Sequence, residues 1–205
     1  MKKLLLGSVA AMAMMGAAPS FAEDGFSNPE AGDIMVRVRG IGVIPNESDD
    51  LAGATVEVDD AYVPELDFTY FFTPNIAAEL ILATAPHDVG VKGGADLGEV
   101  WLLPPTLTAQ YHFTDLGRFK PYVGAGINYT IFYNESSGDV SSMSYDNSFG
   151  WALQAGIDYQ VADRWYLNAD VKRLWLSTDA KVGGVGTVEV DIDPWIVGIG
   201  VGYRF

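Results

Sequence analysis

The 205-residue sequence contains no cysteine, and its acidic residues far outnumber its basic ones. Without cysteine the chain has no disulfides, no thiolate metal sites and no cysteine nucleophiles. It has 12 lysines and arginines against 27 aspartates and glutamates, so its formal net charge is −15. Because binding to a phosphate backbone needs a basic surface, this balance argues against a nucleic-acid partner.

Long apolar runs are absent beyond segment 1–22. That segment has a positive start, an apolar run over 4–18 and small residues at its end, which is the pattern of a secretory signal peptide. A membrane anchor is the alternative, but the run is short for a spanning helix and Pro19 interrupts its end. We therefore expect cleavage after Ala22. One mature domain would remain over 23–205, with a net charge of −17 because two lysines are removed.

The mature sequence alternates apolar and polar or small residues with period two, over stretches of about ten residues. Trp195, Val197 and Ile199, for example, alternate with Gly198 and Gly200. Such alternation predicts strands whose two faces meet different environments. Eight stretches show it, near 33–44, 61–72, 76–85, 101–113, 121–134, 148–161, 165–178 and 191–205.

The connections between these stretches alternate in length. Short turns are predicted at 73–75, 114–120 and 162–164. Between them lie longer polar loops, near 45–60, 86–100, 135–147 and 179–190. This arrangement is typical of an outer-membrane barrel, with short periplasmic turns, longer extracellular loops and both termini in the periplasm. The predicted fold is all-β, an eight-stranded antiparallel transmembrane β-barrel.

A soluble β-sandwich or lipocalin-like barrel is the alternative, because its strands also alternate. In those folds the apolar face points inward and charged residues cover the outside. Here the polar faces are short of lysine and rich in Gly, Asn, Thr and Gln, and aromatic residues mark the strand ends. These features favour a membrane barrel with a crowded interior.

The alternation also predicts which side chains point into the barrel. An eight-stranded barrel is only wide enough for side chains to fill, which excludes a water-filled pore. Charged residues in its lower and middle part must pair, because an unpaired charge in a low-dielectric interior is unfavourable. We expect a polar plug that mainly braces the barrel. Its predicted members are Arg37, Arg39, Glu65, Asp67, Glu79, His112, Asp158, Asp170, Lys172 and Arg204.

Apolar side chains are predicted to face inward nearer the extracellular end. They would form a ligand-binding chamber that accepts a hydrophobic solute above the plug. The solute would then leave laterally, between strands, into the bilayer. Pro64, Pro104, Pro105 and Pro194 would weaken strand pairing there, or alternatively only end the strands. The predicted chamber residues are Ile41, Val43, Val63, Ile81, Leu102, Phe132, Leu174 and Ile196.

Several strings in a fixed order resemble the outer membrane protein W (OmpW) family of Gram-negative bacteria. They are YFFT (70–73), AEL (78–80), LPPTLT (103–108), QYHF (110–113), PYVGAGINYT (121–130), DPW (193–195) and GVGYRF (200–205). The resemblance implies an eight-stranded barrel of the bacterial outer membrane and passive passage of small hydrophobic compounds. The ending at Phe205 resembles the signal that the outer-membrane assembly machinery recognises. We expect a monomer in contact with outer-membrane lipid and lipopolysaccharide, without a metal or another cofactor.

The residues also bear on two other function classes. A hydrolase needs serine, histidine and a carboxylate that converge, but His87 lies in a predicted loop and His112 is predicted low in the interior. We therefore expect no enzymatic activity. The second class is a structural or recognition barrel whose loops 45–60 and 135–147 bind a partner, phage or lipopolysaccharide.

Overall fold

The computed structural model describes residues 26–44, 50–51, 54–58, 60–91, 96–134, 136, 143–182 and 186–205. The predicted signal peptide and its cleavage site lie outside the described residues and stay a prediction. The predicted loops 45–60 and 135–147 are described only in part, and the prediction is wrong where strands lie within them, at Asp50–Leu51, Ala54–Val58 and Met143–Tyr145. No helix in the described ranges is long and apolar enough to cross a membrane.

The described residues form fifteen strands. In chain order they are β1 (Ile34–Ile44), β2 (Asp50–Leu51), β3 (Ala54–Val58), β4 (Ala61–Phe71), β5 (Ile76–Ala83), β6 (Ala85–Val91), β7 (Asp96–Leu103), β8 (Thr106–His112), β9 (Phe119–Tyr133), β10 (Met143–Tyr145), β11 (Ser148–Ala162), β12 (Trp165–Trp175), β13 (Ser177–Val182), β14 (Gly186–Asp191) and β15 (Trp195–Arg204).

Eight of these strands close into an antiparallel barrel, in the order β1, β4, β5, β8, β9, β11, β12 and β15. The ring closes where β15 pairs with β1, from Met35 opposite Arg204 to Ile44 opposite Trp195. These strands match the eight predicted stretches, so the predicted fold is confirmed. Three short connections join the strands at one end, which we call the turn end, and we call the opposite end the loop end.

The loop end differs from the sequence prediction. The segments 86–100 and 179–190 were predicted as polar loops, but their described residues form β6 with β7 and β13 with β14. His87, predicted in a loop, lies in β6. The reason is backbone pairing: β6 and β7 continue the hairpin of β5 and β8 beyond the barrel wall, where polar residues occupy both strand faces and the alternation disappears.

The outward positions of the barrel strands are apolar apart from Arg173. Ile199 is 70% exposed and Tyr62 is 81% exposed, as they would be only in contact with lipid. Aromatic side chains lie at the turn end, where Trp165 contacts Tyr203, and at the loop end, where Trp151 pairs with Trp175. An apolar band between two aromatic girdles is typical of a transmembrane barrel and excludes the soluble alternative.

Inward-facing glycines on β15 make room for two long side chains of β1. Gly200 and Gly202 pair with Arg39 and Arg37. A Cβ atom on Gly200 would lie 2.2 Å from the carbonyl oxygen of Val38 and 2.7 Å from the Cα atom of Arg39. The glycine face of β15 thus lets the arginines extend across the barrel interior.

We expect Gly200→Ala to lower the free energy of unfolding by about 1–3 kcal/mol, because backbone atoms must move to accept the new methyl group. Gly40→Ala on the neighbouring strand is the matched control, since its Cβ would meet nothing within 4 Å. Urea unfolding in detergent micelles measures both variants. Equal stability of the two would contradict the close approach of β15 to β1.

Candidate functional site

Arg37 lies at the centre of the lower interior and is fully buried. Its guanidinium forms a bidentate pair with Asp158, with Nε to Oδ1 at 3.0 Å and Nη2 to Oδ2 at 2.7 Å. Its Nη1 donates to Thr69 and contacts Asp67 and Glu79 at 3.2 and 3.1 Å. One side chain therefore ties together strands β1, β4, β5 and β11.

Arg39 repeats this arrangement one layer nearer the loop end. Its Nε lies 2.8 Å from Glu65, its Nη2 lies 2.8 Å from Asp67, and its Nη1 lies 3.0 Å from Asp170. Lys172 then joins Glu65 and Asp170 at 2.7 and 3.2 Å. The buried charges of the middle barrel are thus paired across the interior, as an interior of low dielectric requires.

Neutral side chains extend the same network. The amide of Gln154 donates to Glu79 and Asp170 at 2.8 and 2.7 Å. Gln110 donates to Glu79 at 2.6 Å and meets Nε2 of His112 at 2.9 Å. We call the whole set the polar floor; it consists of Arg37, Arg39, Glu65, Asp67, Glu79, Gln110, His112, Gln154, Asp158, Asp170 and Lys172.

His112 is a packing residue of this floor. It is 1% exposed, and its ring stacks on Tyr122 and tilts against Phe71. Tyr122 is a floor contact that the sequence prediction missed. In the described part of the chain, no group of three or more histidines and carboxylates could hold a metal ion.

Arg204 is the one predicted plug residue that lies apart from the polar floor. It is located at the turn end, where it pairs with Asp33 at 3.4 Å and donates to Ser27. Beside it, Lys120 donates to Asn28 at 2.6 Å. Residues 26–33 therefore cover the turn end of the barrel. The sequence prediction missed this cover because the segment has no periodic pattern.

Above the polar floor the interior becomes apolar. A single buried cluster, which we call the apolar chamber, is formed by Ile41, Val43, Ala61, Ala85, Ala152, Leu174, Leu176 and Ile196, with Val63 packed against it. Of the predicted chamber residues, five lie in this cluster or against it. Ile81 is buried on β5, while Leu102 and Phe132 face each other on β7 and β9 nearer the loop end. The four alanine and leucine members Ala61, Ala85, Ala152 and Leu176 were not predicted.

The opposite wall of this upper interior contains a polar bracket built on Asn128. Its amide nitrogen donates to the carbonyl oxygens of Pro104 and Pro105, at 3.2 and 3.4 Å, and to Thr106 at 2.9 Å. Thr130 in turn donates to the Asn128 side chain at 2.7 Å. The asparagine thus supplies hydrogen bonds where the two prolines interrupt the strand.

The barrel wall has an interruption beside that bracket, which we call the proline seam. Pairing of β5 with β8 ends at Ile81 opposite Thr106, and it resumes in β6 and β7 only at Ala85 opposite Leu102. Pro104 and Pro105 lie on one side of this gap. On the other side, the pairing of β5 with β4 ends at Glu65, next to Pro64.

Two further contacts define the seam. On the outer face the Thr84 hydroxyl bonds the hydroxyl of Tyr133, so a side-chain bridge crosses the interrupted strand. Pro194 does not belong to the seam. Its carbonyl accepts the N–H of Leu174 at 3.1 Å immediately before β15, so this proline only ends a strand.

Comparisons with known proteins agree with this architecture. The OmpW family model matches residues 30–205. Outer membrane protein W of Vibrio cholerae is 36% identical, with the full length of both chains covered. The dibenzothiophene metabolism operon protein PahQ of Pseudomonas aeruginosa is 29% identical over 75% of this chain and 76% of its own. The crystal structure of OprG from Pseudomonas aeruginosa superposes with a TM-score of 0.78 at 35% identity, covering 87% of this chain and 98% of that one.

Proposed function

The chain belongs to the OmpW family of bacterial outer-membrane barrels, and from that premise we propose that it mediates passive uptake of small hydrophobic compounds. The observation that carries the proposal is the apolar chamber directly above the polar floor. The side chains of the apolar chamber offer an apolar solute favourable contacts, whereas the paired charges of the floor do not. A solute that enters from the loop end contacts the hydrophobic side chains of the apolar chamber first and the paired charges of the polar floor next.

The floor prevents direct passage to the turn end. An apolar molecule in the floor would break hydrogen bonds to buried charged groups, each of which contributes about 1.5–3 kcal/mol. The cover formed by residues 26–33 adds a second barrier at the turn end. In the chamber, by contrast, the solute only exchanges one set of apolar contacts for another. The solute therefore stops in the chamber and leaves by another route.

The route we propose is lateral, through the proline seam. Leu82, Ala83 and Thr84 on one side face Leu103, Pro104 and Pro105 on the other, without ladder pairing between them. Proline has no N–H to donate, so the two sides of the seam can separate with little loss of backbone hydrogen bonds. The seam lies at the height of the chamber, because Ala85 belongs to the chamber and flanks the seam.

The name of one relative is consistent with an apolar solute. PahQ is named for a dibenzothiophene metabolism operon, and dibenzothiophene is a small apolar aromatic compound. Dibenzothiophene is therefore a suitable probe of uptake. The proposal extends to small hydrophobic molecules as a class, since the chamber offers apolar contact and a polar bracket on its wall.

Leu174→Asp tests the chamber. The side chain is 2% exposed within the apolar cluster, so a carboxylate there should reduce the initial rate of dibenzothiophene accumulation at least tenfold in Gram-negative cells that express the chain. Leu174→Met, a volume-conserving change, should keep the rate within about twofold. Heat-modifiable migration on gels shows that each variant is folded.

Ala152→Phe gives a second variant that fills the same chamber without adding a charge, and it should lower uptake as well. If folded Leu174→Asp and Ala152→Phe proteins both accumulate dibenzothiophene at the wild-type rate, the chamber is not the path. The recognition barrel, with its loops as the binding surface, would then be the better account.

A further inference from the structure

The membrane-facing wall of the barrel carries a single charged side chain, Arg173. Every other outward position on the eight barrel strands is aliphatic, aromatic, glycine or proline. A cation that faces lipid is unfavourable by about 2–4 kcal/mol at the middle of the bilayer and by about 0–1 kcal/mol near its interfaces. The position of Arg173 along the wall therefore decides what it can contact.

Arg173 lies at the level of the loop-end aromatic girdle. It pairs with Trp195, the first residue of β15, and it is two residues before Trp175, the last residue of β12. Its guanidinium carbon lies 5.8 Å from the Trp175 ring centroid and 5.3 Å from the Trp195 ring centroid. Trp side chains mark the boundary between acyl chains and head groups. The guanidinium is thus at the head-group level of the extracellular leaflet.

The Arg173 guanidinium is positioned by Asp193, but not all of its N–H donors have an acceptor. Asp193 accepts from Nη2 at 3.5 Å and from the N–H of Leu176 at 3.0 Å, in a backbone conformation with φ of +33°. A positive φ is uncommon for a residue other than glycine, and here it orients the carboxylate between these two donors. The Nη1 atom of Arg173 is buried beside the two indole rings and has no hydrogen-bond partner among the described residues, while the side chain as a whole is 14% exposed. One long contact from five N–H donors leaves the guanidinium short of acceptors.

We infer that Arg173, flanked by Trp175 and Trp195, binds a phosphate group of the phosphorylated glycolipid in the extracellular leaflet, lipopolysaccharide. Guanidinium is a planar fork of donors that matches a phosphate, and such charge-assisted bonds are strong where water is scarce. The indole rings of Trp175 and Trp195 offer an apolar surface to the acyl chains of the lipid and a weakly polar N–H edge to its sugars, beside the guanidinium charge. The site is independent of the uptake route, because it lies on the outer wall and the chamber lies inside.

The experiment uses the full mature chain in phosphatidylcholine vesicles that contain either diphosphorylated or dephosphorylated lipid A. Binding is read by quenching of tryptophan fluorescence and by native mass spectrometry of bound lipid. We expect Arg173→Gln to weaken binding of diphosphorylated lipid A at least tenfold and Arg173→Lys to weaken it less. Arg164→Gln is the matched control, because it removes an exposed cation paired with Asp163 at the turn end.

Three results would overturn the inference. Equal binding of both lipid A forms by the wild-type protein would mean that the aromatic surface alone recognises the lipid. Equal losses in Arg173→Gln and Arg164→Gln would mean an unspecific charge effect. Displacement of lipid A by millimolar inorganic phosphate would mean a general anion site. Heat-modifiable migration identifies folded protein, and Trp195→Leu, which keeps Arg173, should weaken binding by a smaller factor.

Discussion

Arg37→Met is expected to unfold most of the barrel under conditions in which the wild-type protein is stable. Among the described residues, Arg37 is the cation that pairs with Asp158, and the change leaves Asp158 with an amide donor from Asn168 at 2.8 Å. Breaking a buried ion pair by removing one partner lowers the free energy of unfolding by about 3–5 kcal/mol. Urea unfolding in detergent or lipid vesicles, followed by tryptophan fluorescence, measures the loss.

A double variant separates the orphaned charge from the lost packing. Arg37→Met with Asp158→Asn leaves no unpaired carboxylate at this position, so it should recover a large part of the lost stability. Arg164→Met at the turn end is the surface control. Its ion pair with Asp163 spans 3.8 Å and both side chains are more than half exposed, so its effect should stay within about 0.5 kcal/mol. Equal effects of Arg37→Met and Arg164→Met would show that the floor does not brace the barrel.

The inward and outward faces of the strands could be predicted from the sequence because the barrel strands contain little irregularity. A strand with period two changes its inward set only at a bulge, and the pairing of β11 with β12 shifts only between Gln160 and Ala162, at the turn end. The alternation therefore places Arg37, Asp158 and Leu174 inside. The charges of the floor also follow from the sequence, since so many inward carboxylates need buried cations.

Other parts of the site depend on contacts between distant segments and have no local signal. The bracket of Asn128 over Pro104 joins residues 24 positions apart, and the cover of the turn end joins Asn28 to Lys120. Strands β6 and β7 were predicted as part of a loop because polar residues on both faces remove the alternation, whereas the sequences of β13 and β14 do alternate, and their strands were missed only because the segment was treated as a polar loop. Leu102 and Phe132 were predicted in the chamber but lie nearer the loop end, on β7 and β9. Alternation predicts on which side of the barrel wall a side chain lies, but it does not predict its height along the barrel axis.

A disulfide across the proline seam should abolish uptake of dibenzothiophene. Thr84 and Leu103 lie opposite each other in the interrupted register between β5–β6 and β7–β8, and both face outward. Cysteines at Thr84 and Leu103, once oxidised, would join the two sides of the gap covalently, and the natural chain has no cysteine to compete. If solute leaves through this gap, uptake should fall to the rate of cells without the protein, and a reducing agent should restore it.

The matched control is a cysteine pair at Leu80 and Leu107, which are directly opposite in the intact ladder of β5 and β8. A disulfide there joins strands that backbone hydrogen bonds already hold together, so uptake should not change when it is oxidised. This comparison distinguishes the effect of blocking strand separation at the seam from any general effect of a cross-link. If both oxidised pairs transport at the same rate, the solute does not leave through the seam, and the covered turn end has to open instead. Loss of transport in the seam pair alone, reversed by reduction, would mean that the interruption at the double proline serves as a gate in the barrel wall.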